Sequence, residues 1–270
     1  MKLYILAFDH RSSFEKILKK PDKIREAKKL IFKAFSNIYK EYKHKENLAI
    51  LIDEEYGDEI IKIAKEKNIT FCLPIEKSGQ EILKLAYKDL NEINKIRPDY
   101  IKLLIRYNPL NIEVNKKQIS VLKKVNDFCL KNNYKILLEL LVPQAKEDLL
   151  LEKDFDKHIR LDRTCQAINE IQEYIKVHIW KLEGFTKKGW YEISKLTDSK
   201  IIFLGRGESK AIVKKWLLNS KNIENIIGFA IGRTIFLESL EKYSKNLITK
   251  EQAIQEIENN YKYFINLADK

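Results

Sequence analysis

Eight short apolar runs alternating with longer amphipathic ones predict a (β/α)8 TIM barrel with an additional C-terminal helix, occupying residues 1–270 as one domain. Two further observations point the same way. The apolar runs end, in chain order, at Asp9-His10-Arg11, Asp53-Glu54, Glu76, Arg106, Glu139, Lys181 with Glu183, Arg206 and Arg233, whereas their opposite ends at Leu3, Leu48, Ile69 and Ile226 carry fewer charges. Active sites of such barrels lie at the carboxyl ends of the strands, and charge gathered on that rim fits. Proline and glycine also open the loops on that side, at Pro74, Pro109, Pro143, Gly184, Gly205 and Gly232.

The first strand is expected over residues 3–8, with Ser12 or Ser13 available as a helix cap after it and a helical stretch over 24–42. Strand two at 48–52 leads past Asp53 into a helix that runs to Lys67, and strand three at 69–73 stops at Pro74. A helix is predicted over 80–96, ended by Pro98, which cannot continue it. Strand four covers 100–105 and carries Lys102; a helix over 116–131 comes next, and strand five at 135–142 is interrupted by Glu139. Residues 144–156 are polar without period and are a candidate active-site loop before a helix at 159–175. Strand six covers 177–182, a short helix 190–196, strand seven 200–204, a helix 211–218 and strand eight 226–231. Two helices, at 235–243 and 250–268, complete the chain.

Composition narrows the class. With 44% hydrophobic residues a large core is within reach, and no run of about 18 apolar residues exists to span a membrane. The net charge of +12 is spread over every presumed helix among the acidic residues, so it reads as solvated helix faces and excludes a dedicated nucleic-acid face. It suits a phosphorylated small-molecule substrate equally well. Cys72, Cys129 and Cys165 have no paired spacing, which fits reduced thiols in a cytoplasmic protein, and the start of the chain has no signal-peptide layout.

The centre of interest is His178-Ile-Trp-Lys-Leu-Glu-Gly184. Strand side chains alternate, so Lys181 and Glu183 share one face and Trp180 and Leu182 the other. Burial disfavours the charged form of an amine, and a neutral amine attacks a carbonyl carbon, the chemistry of a Schiff base. With inward parity Lys102, Glu139 and Asp9 face the same cavity. A second ammonium at Lys102 would help keep the nucleophile unprotonated; Glu139 would shuttle the proton lost with water, and Asp9 would orient or deprotonate a substrate hydroxyl. Only eight of the 51 basic residues are Arg, and four of them, Arg11, Arg106, Arg206 and Arg233, come directly after strands, where a planar fork suits an anion. Arg206 and Arg233 stand beside Gly205 and Gly232 after strands seven and eight, where barrels commonly hold phosphate. The three tryptophans read as packing.

Leu6-Ala7-Phe8-Asp9-His10-Arg11, Ile52-Asp53-Glu54, Pro74-Ile75-Glu76, Leu138-Glu139, Trp180-Lys181-Leu182-Glu183 and Gly228-Phe229-Ala230-Ile231-Gly232-Arg233-Thr234-Ile235-Phe236 together resemble the barrel domain found fused behind the sugar kinase 5-dehydro-2-deoxygluconokinase in myo-inositol catabolism. More distantly the chain is similar to the class I aldolases of the tagatose-bisphosphate type, whose imine lysine on strand six is succeeded two residues later by a glutamate. The resemblance covers the whole chain and implies a Schiff-base lyase with no cofactor beyond a covalent imine through Lys181. Its implied substrate is 2-deoxy-5-keto-gluconate 6-phosphate, split into dihydroxyacetone phosphate and malonate semialdehyde. Two positions depart from the pattern: Gly184 stands where a proline is common, and Arg206 stands in a loop that usually lacks arginine. Barrels of this type often assemble, so a homo-oligomer stays open. Two rival readings remain, a Mg²⁺-dependent lyase using Asp53, Glu76, Glu139 and Glu183, and a catalytically silent phosphosugar-binding barrel that regulates a partner.

Overall fold

Parallel strands covered by helices are buried on both faces and so read as continuous apolar runs, and the eight such runs here become eight parallel strands. The computed structural model describes residues 2–269. In chain order its elements are β1 (Leu3–Ala7), α1 (Ser12–Leu18), α2 (Pro21–Glu41), β2 (Leu48–Leu51), α3 (Glu54–Glu66), β3 (Thr70–Pro74), α4 (Ile93–Ile96), β4 (Tyr100–Arg106) and α5 (Ile112–Asn132). The second half continues with β5 (Lys135–Leu141), α6 (Lys146–Leu149), α7 (Arg160–Gln172), β6 (Ile179–Leu182), α8 (Lys187–Ser194), β7 (Lys200–Leu204), α9 (Lys210–Ser220), β8 (Ile226–Ile231), α10 (Arg233–Ser244) and α11 (Lys250–Asp269). The strands pair in sequence order and β8 closes on β1, Leu3 standing against Gly228 and Leu6 against Ile231. This is a (β/α)8 barrel with an extra C-terminal helix.

Two apolar layers result from the alternation of side chains. Leu3, Ile5 and Ala7 of β1, Ala49, Cys72, Tyr100, Leu137, Ile179 and Ile202 fill the inside of the ring. Tyr4, Leu6, Ile50, Leu138, Trp180, Phe203 and Phe229 point outward against the helices. Trp180 and Trp190 are fully buried. The additional helix α11 packs on α2 and α10, burying Ile257, Tyr261, Phe264 and Ile265, and the Tyr261 hydroxyl donates to the Tyr4 carbonyl at 2.6 Å. No helix among the described residues is long and apolar enough to cross a membrane.

The helix expected over 80–96 does not form. Glu76 instead bridges antiparallel to Leu85, with Lys77 N–H donating to the Lys84 carbonyl and Ala86 N–H to the Ile75 carbonyl, each at 2.8 Å. Only a 3-10 turn, Leu90–Glu92, and α4 are helical there. The reason is a period of two: Leu83, Leu85 and Tyr87 turn inward while Lys84, Ala86 and Lys88 are exposed, the pattern of extended chain. Residues 144–156 also hold a short helix, α6, and lead into a π-helical turn, Phe155–Ile159.

Candidate active site

Inward parity carries one charged side chain from each of several strands onto the carboxyl rim. Beyond Ala7 comes Asp9; above Tyr100 comes Lys102, above Leu137 comes Glu139, and above Ile179 comes Lys181. Glu139 and Lys181 are direct partners in the β5–β6 register, and Pro74 pairs with Lys102, which brings Glu76 over it. The sequence-predicted quartet therefore meets. Lys181 Nζ donates to Glu139 Oε2 at 2.8 Å, and that same oxygen lies 3.1 Å from Lys102 Nζ. Lys102 Nζ also donates to Asp9 Oδ2 at 3.0 Å and to Glu76 Oε1 at 2.6 Å. Lys102 is only 3% exposed and Lys181 5%.

This corrects one expectation: Lys102 is not a bare second cation beside Lys181 but an ammonium enclosed by three carboxyls. Burial alone would lower Lys102, yet Asp9, Glu76 and Glu139 raise it well above the ordinary lysine range, so it stays charged. Burial would raise Asp9 and Glu139, but Lys102 and Lys181 hold both below the ordinary carboxyl range. For Glu76 burial wins over the single cation Lys102, and its carboxyl is pushed up.

The cavity above this cluster has a volume of about 300 Å³. Arg11 and Arg106 line one side, Arg11 donating to the Glu76 carbonyl at 2.6 Å and Arg106 to the Gln80 carbonyl at 2.7 Å. Gly205, Gly207, Gly232, Arg206 and Arg233 line the other. Arg233 donates to the Arg206 carbonyl at 2.9 Å and lies flat against Gly207, whose positive φ of 80° and missing Cβ leave room for it. A Cβ at Gly232 would run into the Ala7 carbonyl oxygen, so a glycine is needed where the end of β8 passes close to the backbone of β1.

Two predicted ligand groups are engaged elsewhere. Glu183 is absent from the cavity wall: Leu182 is the last residue of β6, the strand's alternation ends with it, and the carboxylate turns to Arg206 at 3.2 Å, Arg160 at 3.4 Å and the Val142 N–H at 3.3 Å. Arg206 lines the cavity, yet its guanidinium is shared between Glu183 and Asp156, the latter 3.3 Å away on the π-helical turn. The residue after Glu183 is explained by packing, because a Cβ at Gly184 would enter the Trp216 ring.

Sequence reasoning missed a buried pair at the same rim, outside the cavity wall. Lys28 of α2 has no exposed surface, binds Asp53 and donates to the Phe8 carbonyl at 2.9 Å; Asp53 also caps α3 by accepting from Tyr56 N–H at 2.8 Å. Burial lowers Lys28 and raises Asp53 against their mutual attraction. The one signal was a lysine inside the apolar stripe Ile24, Ala27, Ile31 of the helix.

His10 faces the cavity between Phe14 and Phe236, with its Nδ1 buried and unpartnered. Burial, despite Asp9, brings its pKa down to about 4. Because the unfolded imidazole takes a proton near 6.5 and the folded one does not, stability falls as pH drops from about 6.5 towards 4. The loss attributable to His10 is about 2 kcal/mol by pH 5. Urea denaturation between pH 7 and pH 5 should show that slope in the wild type and its reduction in His10→Gln; equal slopes refute the buried neutral imidazole.

Fold and site together define a (β/α)8 barrel with a buried lysine and carboxyl cluster at the carboxyl rim of the strands, flanked by arginines. The chain belongs to the DUF2090 family, described as an uncharacterized protein conserved in bacteria, whose family model matches residues 1–270. No curated protein matches the chain in sequence. Among solved structures, Cgl0159 from Corynebacterium glutamicum (Brevibacterium flavum) is similar, with a TM-score of 0.65 and 13% identity over 96% of this chain and 85% of that one. At that identity the likeness concerns the barrel fold.

Proposed function

We propose that the protein is a class I aldolase, a carbon-carbon lyase that forms an imine between Lys181 and the keto carbon of a phosphorylated keto sugar or sugar acid. The observation that carries this reading is the buried contact of 2.8 Å between Lys181 Nζ and Glu139 Oε2 inside an arginine-lined cavity. Glu139 takes the Lys181 proton, the freed amine attacks the ketone, and the proton returns to the departing water. The iminium then accepts the electrons of the breaking C–C bond, while Asp9, held as a carboxylate by Lys102, takes the proton of the hydroxyl that becomes the aldehyde. By the resemblance of its motifs, the substrate is 2-deoxy-5-keto-gluconate 6-phosphate of myo-inositol catabolism.

The Mg²⁺ alternative finds less support in this geometry. Asp53 is taken by Lys28, Glu183 by Arg160 and Arg206, and the centre between Glu76 and Glu139 is filled by the Lys102 ammonium. Borohydride reduction in the presence of the keto-sugar phosphate, with mass mapping of the product, should place the adduct on Lys181; an adduct on another residue refutes the assignment. Arg233 is proposed to bind the phosphate. Arg233→Ala should raise KM for the phosphorylated substrate roughly tenfold or more, the value of a hydrogen bond to a charged group, and leave the dephosphorylated analogue unchanged. Equal effects on both compounds would remove Arg233 from the phosphate.

A further inference from the structure

Three carboxyls, Asp9, Glu76 and Glu139, face two ammonium groups, Lys102 and Lys181, in one buried cluster. With all five ionised the cluster carries one surplus negative charge; with one carboxyl protonated it is neutral. Like charges crowded around one site leave one carboxyl neutral. Geometry singles out which. Glu139 has both lysines on a single oxygen, and Asp9 has Lys102. Glu76 has Lys102 on Oε1, but its Oε2 is buried and without a hydrogen-bond partner, and no other carboxyl oxygen among the described residues is in that condition. A bare carboxylate oxygen there would be costly. Glu76 is 5% exposed, lines the cavity, and is fixed by its antiparallel bridge to Leu85 and by Arg11 on its own carbonyl. The neighbouring Lys77 also lines the cavity, while Lys84 meets Lys77 through its backbone carbonyl.

We propose that Glu76 is a further catalytic residue, the proton donor of the cavity, whose Oε2–H protonates the keto oxygen as Lys181 attacks. This rests on the imine reading above. The Lys181 proton first passes to Glu139, and the amine lone pair forms the N–C bond. The displaced π electrons go to the oxygen, which takes the Glu76 proton. Glu76, now a carboxylate, recovers a proton from the carbinolamine nitrogen. Glu139 gives its proton to the hydroxyl, which leaves as water while the nitrogen lone pair forms C=N. Ammonium and ketone have become iminium and water, and both carboxyls are back in their starting states. Burial raising Glu76 and the two lysines lowering Glu139 set the two apart as acid and base in the same sense.

Two measurements test this. The first uses the unliganded protein with ¹³C-carboxyl glutamate and reads the infrared carbonyl stretch of a protonated carboxyl at neutral pH. The band should be present in the wild type and absent in Glu76→Gln, where two carboxylates and two ammoniums already balance; a wild type without it, or a band that survives in Glu76→Gln, overturns the proposal. The second measures the rate of borohydride-trappable imine formation with dihydroxyacetone phosphate. Glu76→Gln keeps the shape and the neutral charge, so the Kd should stay within about threefold while the rate falls roughly 100-fold, the value of a positioned general acid. An unchanged rate overturns the catalytic role. A wild type that traps nothing, or Lys181→Met that traps normally, sinks the imine reading instead, and the infrared band tells the two failures apart because it needs no substrate.

Discussion

Under the proposed imine mechanism, Lys181→Met is expected to abolish turnover, lowering kcat by roughly 10⁴-fold or more as loss of a covalent nucleophile does, and to leave no borohydride adduct. The barrel should survive the change. Lys181 sits on the inside of β6, Met has a similar reach without the charge, and Glu139 keeps Lys102 at 3.1 Å. Circular dichroism unchanged beside a dead enzyme is the expected pair of results. Retention of more than about a tenth of wild-type kcat would place the nucleophile elsewhere, since the residual rate of a barrel lacking its amine comes only from binding and electrostatics.

Lys102→Met has the largest expected effect on stability. Removing one partner of a buried charge cluster costs about 3–5 kcal/mol, and Asp9, Glu76 and Glu139 would all lose the same ammonium. In a chain of this size that lowers Tm by roughly 10 °C at neutral pH. The deficit should depend on acidity with a definite sign. Asp9 and Glu139 have folded pKa values below their ordinary range, so they support the folded state above about pH 4 and lose that support as pH falls. Glu76, raised by burial, acts oppositely and favours the folded state in its protonated form. The gap between wild type and Lys102→Met should therefore narrow on acidification towards pH 3. A Tm difference of less than about 2 °C at pH 7, or one that widens in acid, refutes the central role of this ammonium.

The barrel and the core of its site were legible because both obey short-range rules. Strands buried on both faces read as unbroken apolar runs, and a period of two places Asp9, Lys102, Glu139 and Lys181 inward once the ring is assumed. Legibility is lost where such rules stop. Glu183 keeps the parity of Lys181, but the strand ends at Leu182, so spacing no longer fixes direction. Leu83, Leu85 and Tyr87 belong to extended chain, although the segment is long and rich enough in helix formers to suggest a helix. Arg206 comes after strand seven as expected, but its partner Asp156 is brought in by the loop after strand five, and no local pattern announces that meeting. Lys28 finds Asp53 because α2 packs on α3, the helix that Asp53 caps, a tertiary event.

The closure of β8 on β1, reinforced by the bond from Tyr261 to the Tyr4 carbonyl, has a consequence for biosynthesis. Because β1 precedes β8 in the chain, its outer edge stays unpaired until β8 has been made and has docked. Chains in which β8 is still missing therefore expose a ladder of free amides and carbonyls along β1, an edge that favours intermolecular pairing.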